Sequence, residues 1–184
     1  MPFIRKILKT SVVVLLALLF CAIMFVGLYD RYEFRPYAGK IEAIYQGMDP
    51  EDRQPPVNVQ SFIWKVDGRI VNSFVARSLL SDFRGPMRMG AWHYHSAMWV
   101  LMLRLHFDST TQMSFYCHYL PHENGTGFAK AAQGYFGKQA HELNDDELAT
   151  LIAIGRSPSL NSPTRHPESL ARTKARLLQA ARVQ

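Results

Sequence analysis

The feature that most restricts this chain is a run of twenty residues without a charge, Thr10 to Tyr29, TSVVVLLALLFCAIMFVGLY. As a helix rising ~1.5 Å per residue it extends ~30 Å, the thickness of a bilayer's hydrocarbon core. A core helix of that length normally carries a polar face, and this run has none. A cleaved signal peptide is the competing reading. The run is long for one, and the small–x–small cleavage site is missing. Phe20 also stands before Cys21, where a lipoprotein signal requires a small residue. The segment therefore reads as an uncleaved anchor. Arg5, Lys6 and Lys9 precede it, while Asp30, Arg31, Glu33 and Arg35 follow it and cancel. The positive-inside rule then puts residues 1–9 in the cytoplasm, residues 10–29 across the membrane and the rest outside.

The net charge of +6 sits at the two ends. Residues 1–29 contribute +3 and residues 156–184 contribute +5, whereas residues 30–155 come to −2. A near-neutral middle argues against nucleic acid as a partner, which demands a basic face. It suits a protein held against anionic membrane lipid. Cys21 lies in the anchor and Cys117 in the outer region, so no disulfide framework is implied.

The outer region reads as mainly α. Residues 49–60 look like a loop because of Pro50, Pro55 and Pro56. Asp67-Gly68 lies between alternating apolar flanks and reads as a short hairpin or as a turn between helices. Residues 73–83 have helical spacing and end at Gly85-Pro86. The run AMWVLML within 91–107 is apolar all round and reads as a buried central helix. Ser109 is a candidate N-cap for a helix that Pro121 breaks, and Asn124-Gly125 marks a turn. A short helix over 127–136 is stopped by Gly134 and Gly137. Asn144 and Glu147 form a capping box, Gly155 is read as that helix's stop, and Pro167 opens the last helix. In that helix Leu170, Leu177, Leu178 and Ala181 form one face and the cations occupy the rest, available to anionic headgroups.

One stretch has an order of residues that goes beyond secondary structure. It runs Ala131-Ala132-Gln133-Gly134-Tyr135-Phe136-Gly137-Lys138, then Glu142-Leu143, then Glu147-Leu148-Ala149, then Pro158-Ser159-Leu160-Asn161-Ser162-Pro163. This resembles the family 51 glycosyltransferases, the peptidoglycan glycosyltransferases or transglycosylases. Their pattern is AAxxYFGK, E-L, a Glu-Ala-Leu helix and P-S-x-x-N-P. The resemblance implies a lysozyme-like helical domain over 73–184, shortened at its N-terminal side, after a divergent membrane-proximal region at 30–72. It also implies a single-pass protein of the bacterial inner membrane whose domain faces the periplasm.

Upstream the resemblance thins. The family's S-T-I-T-Q-Q-L falls on Ser73 to Leu79, and R-K-x-x-E falls on Trp92 to Ser96, which leaves serine where the family has glutamate. The motif E-D-x-x-F-x-x-H-x-G is reduced to Glu51-Asp52.

Family members polymerise lipid II. The acceptor's 4-hydroxyl displaces undecaprenyl diphosphate, which takes a carboxylate base and cations, or a divalent metal such as Mg or Mn, at the leaving group. Carried over residue by residue, Glu51 is the candidate base, with Asp52 beside it as a second solvated loop acid. Ser73, Arg77, Tyr135 and Lys138 are the candidate substrate and diphosphate contacts, and Arg84 and Arg88 are weaker ones. His93-x-His95 and His118-x3-His122 read as polar groove linings or hydrogen-bonded histidines; no metal site and no other cofactor is assigned.

Three readings follow. The chain is a domain with a depleted active site that binds lipid II, nascent glycan or a cell-wall synthase. Alternatively it is a working transglycosylase with Glu51 as base. In the third reading it is a non-enzymatic helical envelope adaptor.

Overall fold

The computed structural model describes residues 2–183, with side chains from Lys9 onward; Arg5 and Lys6, on which the orientation of the anchor rests, lie outside the described side chains. The chain divides into two compact units, residues 1–41 and 42–184. The first is dominated by α1 (Pro2–Tyr29). Its apolar residues from Val12 to Phe25, and Leu28, are exposed, and by length and composition it is able to cross a bilayer. A π turn (Asp30–Phe34) and a 3-10 turn (Arg35–Tyr37) follow, held by an ion pair from Arg35 Nε to Asp30 Oδ2 at 2.9 Å. Helix α2 (Ala38–Gly47) runs across the division.

The second unit is helical, as expected: α3 (Pro50–Arg53), α4 (Val57–Asp67), α5 (Val71–Arg84), α6 (Met89–His106), α7 (Ser109–Tyr119), α8 (Phe128–Phe136), α9 (Asp145–Arg156) and α10 (Pro167–Val183). Strands β1 (Pro121–His122) and β2 (Gly125–Thr126) pair antiparallel around the expected Asn124-Gly125 turn. Helix α5 packs on α6 and α7, α9 packs on α10 and α4, and α7 contacts α3 and α8.

Several local expectations change. The proline-rich stretch is not a loop. Pro50 is pre-set for the first turn of α3, and Pro56 precedes α4. Asp67-Gly68 joins two helices rather than two strands. Asp108, not Ser109, caps α7, with its Oδ1 accepting from Thr111 N at 2.7 Å. Gly134 lies inside α8, and Gly137, at φ 64°, ends it in the left-handed region that favours glycine. The Asn144–Glu147 box and the Pro167 start are as expected.

The central helix is also not the one expected. In α6 only Trp99, Met102 and Leu103 are buried. Helix α9 is the helix covered on nearly every side, from Leu148 to Gly155. Its small residues Ala149, Ala153 and Gly155 let neighbours approach closely. Gly155 is therefore no stop. A Cβ there would come within 2.3 Å of Leu120 Cδ1. Helix α7 is buried from Gln112 to Cys117 despite its polar composition, because partners take up its polar groups. Gln112 Nε2 donates to Phe107 O at 2.9 Å, and Ser114 Oγ donates to Arg53 O at 2.6 Å.

Asp67 is the deepest charge, with 1 % of its side chain exposed. It receives Arg156 Nε at 3.1 Å, a second bond from the same guanidinium, and the Tyr116 hydroxyl at 2.5 Å. Burial, and then the carboxylate alongside, push the Tyr116 phenol well above its usual range, so it serves as a donor. One carboxylate thus ties α4, α7 and α9.

Two stability outcomes follow, each read by thermal melting in detergent. Gly155→Ala should lose ~1–3 kcal/mol by overpacking against Leu120. Asp67→Ala should lose ~3–5 kcal/mol, because it strands a partly buried guanidinium and a buried hydroxyl. A wild-type melting temperature in either variant contradicts that account.

Candidate functional site

The second unit has two grooves that contain the sequence-derived residues. The first lies between α3 and α8 and has a volume of about 600 Å³. Asp49 caps α3 by accepting from Glu51 N at 2.9 Å, which sets Glu51 on the groove wall. The Glu51 carboxylate is already engaged: Oε2 accepts from Ala140 N at 2.9 Å, and Oε1 lies 3.6 Å from His141 Nδ1. It thereby satisfies the first turn of the 3-10 helix Ala140–Glu142, from 89 residues away in sequence. Opposite stand Lys130, Gln133 and Lys138. Lys138 is held by Glu147 Oε1 at 2.5 Å. The Lys138 bond, and the Asn144 backbone N–H, keep the Glu147 carboxyl below its ordinary range. The groove therefore offers two carboxylates and two ammonium groups, each lysine with part of its surface open to water.

The second groove, about 290 Å³, lies between α5 and α6. Ser73 and Arg77, one helical turn apart, face Trp92, His93 and Ser96. Ser73 Oγ donates to Ile70 O at 2.9 Å, and Arg77 Nε donates to Ser73 O at 3.0 Å. Ser96 Oγ is buried without a hydrogen-bond partner among the described residues. No carboxylate lines this groove. Near its end His95 Nε2 lies 3.2 Å from Arg84 Nη1, and partial burial, then the neighbouring guanidinium, lower the imidazole's affinity for a proton.

The candidates thus fall into two places. Glu51 and Lys138 share the α3–α8 groove, and Ser73 and Arg77 share the α5–α6 groove. The two segments matched to S-T-I-T-Q-Q-L and R-K-x-x-E do face each other. Tyr135 lines neither groove; its buried hydroxyl lies beside the Glu123 backbone.

Two residues have roles that local sequence patterns did not reveal. Asp52 is not a solvated loop acid. It is 2 % exposed, and its Oδ1 accepts from Ala129 N at 2.9 Å, capping α8 from a distant segment. Nothing local to Asp52 announces that partner. Gly127, at φ 118°, lets the chain pass close by; a Cβ there would lie 3.0 Å from Asp52 Oδ2. Asn161, in the P-S-x-x-N-P run, donates to Ala153 O at 2.6 Å and accepts from Ser169 and Thr173 at 3.2 and 3.3 Å. By spacing Asn161 falls on a variable position of that pattern, with Ser162 at the asparagine place, and its role is to tie α9 to α10.

Burial, opposed by the Ala129 N–H, pushes the Asp52 carboxyl up from 3.8 to about 6. The folded state then holds the proton more tightly than the unfolded chain. This contribution is fully present below pH 3.8 and is lost as pH rises through about 6. Asp52→Asn keeps an acceptor for Ala129 N but cannot ionise. In melts across pH, it should exceed wild type above about pH 7 and converge with it near about pH 4. A gap that is the same at both ends contradicts the assignment.

The family model described as Transglycosylase matches residues 92–182, which include α6 through nearly all of α10. Over 73 residues the chain is 36% identical to penicillin-binding protein 1A of Aquifex aeolicus (strain VF5), which is 39% of this chain and 10% of that protein. Over 80 residues it is 31% identical to penicillin-binding protein 1B of Haemophilus influenzae, which is 41% of this chain and 10% of that protein. The chain matches about a tenth of the length of these relatives. The matched segment includes one wall of each groove, α8 with Lys138 and α6 with Ser96, whereas Glu51, Ser73 and Arg77 lie outside it. Residues 92–182, just under half of the chain, are thus similar to the transglycosylase family.

Proposed function

We propose that this protein is a bacterial inner-membrane, transglycosylase-family domain that binds lipid II or nascent glycan in cell-wall synthesis without efficient turnover. The observation that carries the reading is the α5–α6 groove. It joins the segments set against S-T-I-T-Q-Q-L and R-K-x-x-E, has that pattern's serine as Ser73, has Arg77 where the pattern has glutamine, and has Ser96 in place of a carboxylate. A guanidinium with free nitrogens beside small hydroxyls suits a diphosphate. The groove has no carboxylate, the group to which the resemblance gives the proton from the attacking hydroxyl. In this reading α1 is the anchor, residues 1–9 are cytoplasmic and the domain faces the periplasm, within reach of cell-wall synthases.

A second reading, an active transglycosylase, is favoured by one observation. Glu51 lies on the wall of a groove of about 600 Å³ with Lys130 and Lys138 across it. Against it, the carboxylate already accepts from Ala140 N, and His141 sits beside it. A resident divalent cation does not fit this donor set. Asp49 and Glu51 are both engaged by backbone N–H groups and share the groove with two lysines. Among the described residues no cluster of three metal-ligating side chains occurs.

The test is labelled lipid II incubated with full-length protein in detergent. Products are run as glycan ladders and binding is followed by fluorescence anisotropy. The expected result is saturable binding with no ladder. Loss of one charge-assisted contact in Arg77→Ala should weaken binding about tenfold. A ladder from wild type that vanishes in Glu51→Gln establishes the active reading instead. Absence of binding by folded wild type leaves the envelope adaptor.

A further inference from the structure

The α3–α8 groove has walls of opposite charge. Asp49 and Glu51 stand on the α3 side, and Lys130 and Lys138 on the α8 side. Their partners within the chain do not use up their bonding capacity. A carboxylate has about four acceptor positions. Asp49 spends Oδ1 on the α3 cap, and Glu51 spends Oε2 on Ala140 N, while Glu51 Oε1 has His141 Nδ1 at 3.6 Å. An ammonium has three donors. Lys138 gives one to Glu147 and keeps 39 % of its side chain exposed, and Lys130 is exposed.

One residue of the α8 wall is not explained by the packing of the chain. Gly134 lies inside a nine-residue helix, where glycine is less favourable than alanine. It is not among the glycines with positive φ, and a Cβ there would meet no atom within 4 Å. Neither backbone conformation nor close approach calls for glycine at this position. The missing side chain instead leaves the groove open along that wall.

The charges select an occupant. A polyanion meets the lysines but also faces two carboxylates, and a polycation meets the reverse. A ligand with an ammonium at one end and a carboxylate at the other satisfies both walls. Gln133, exposed on the α8 wall, adds an amide that can both donate to and accept from a peptide bond. A groove of about 600 Å³ suits a short peptide, being larger than a free amino acid requires.

We infer that the α3–α8 groove binds a short zwitterionic peptide, its ammonium against Asp49 and Glu51 and its carboxylate against Lys130 and Lys138. The site is separate from the α5–α6 groove, and Glu51 serves in it as a binding anion rather than as a base. It therefore stands or falls independently of lipid II binding and turnover.

The test titrates full-length protein in detergent with trialanine by isothermal calorimetry, beside N-acetyl-trialanine and trialanine amide. The expected result is saturable binding of trialanine, with each capped form about tenfold weaker because it lacks one charge-assisted contact. Asp49→Asn keeps an α3 cap and should reduce the penalty for N-acetylation. Lys130→Gln should reduce the penalty for amidation. Gly134→Leu should abolish binding by filling the groove, whereas Gly134→Ala should raise the melting temperature. Lys130→Gln alters only an exposed side chain, so its result does not depend on the fold of the glycine variants. Arg77→Ala, in the other groove, should leave the affinity unchanged. Folded wild type that shows no saturation up to about 10 mM trialanine overturns the proposal. Equal affinity for the capped peptides overturns it too, as does undiminished binding in folded Gly134→Leu. Weaker binding in Arg77→Ala also overturns it, since it would put the peptide in the α5–α6 groove.

Discussion

Burying the Asp67 carboxylate obliges the rest of the second unit to be arranged around it. A carboxylate with 1 % of its side chain exposed is tolerated only when its oxygens are fully engaged. Here the donors arrive from two other helices, Tyr116 on α7 and Arg156 at the end of α9. Arg156 also donates to Val66 O at 3.1 Å, so the guanidinium grips the end of α4 twice over. Ion pairs of this kind add little net stability over a well-packed apolar alternative, but they penalise every arrangement in which the partners miss. The result is a fixed relation among α4, α7 and α9, and with it the placing of everything those helices carry.

The two grooves depend on this frame. Helix α7 holds the end of α3 through Ser114, and Asp52 on α3 caps α8. That chain of contacts is what sets Glu51 opposite Lys130 and Lys138. The same carboxylate that makes Glu51 a candidate base also completes the 3-10 turn at Ala140, so structure and chemistry compete for it. The α5–α6 groove has no such competition, but it also has no anion. The α5–α6 groove thus sets Arg77 against Ser96, whereas the α3–α8 groove holds its carboxylates in hydrogen bonds to backbone N–H groups.

How much of this was legible depends on the range of the interactions involved. The capping box at Asn144 and Glu147, the Pro167 start and the Asn124-Gly125 turn are local, and they could be read directly. So could the family resemblance over α8 and α9, where residue order is dense. Asp52 and Asp67 could not. Each is an ordinary polar residue locally, and each is buried because its partner comes from elsewhere in the chain. The reading of α6 failed for a related reason. Periodicity shows that a helix is apolar, but not how many of its sides have neighbours. Small residues let α9 be surrounded, and α6 was left with Leu101 and Leu105 exposed.

The sequence by itself determined the helical class, the long apolar N-terminal segment, most helix ends and the transglycosylase character of the C-terminal half. These follow from spacing, capping and residue order, which act over a few positions. The tertiary structure decided which carboxylates are buried, which helix is central, and that Glu51 with Lys138 and Ser73 with Arg77 belong to different grooves. Those outcomes depend on hydrogen bonds and packing between segments as far as 90 residues apart, and no local pattern encodes that distance.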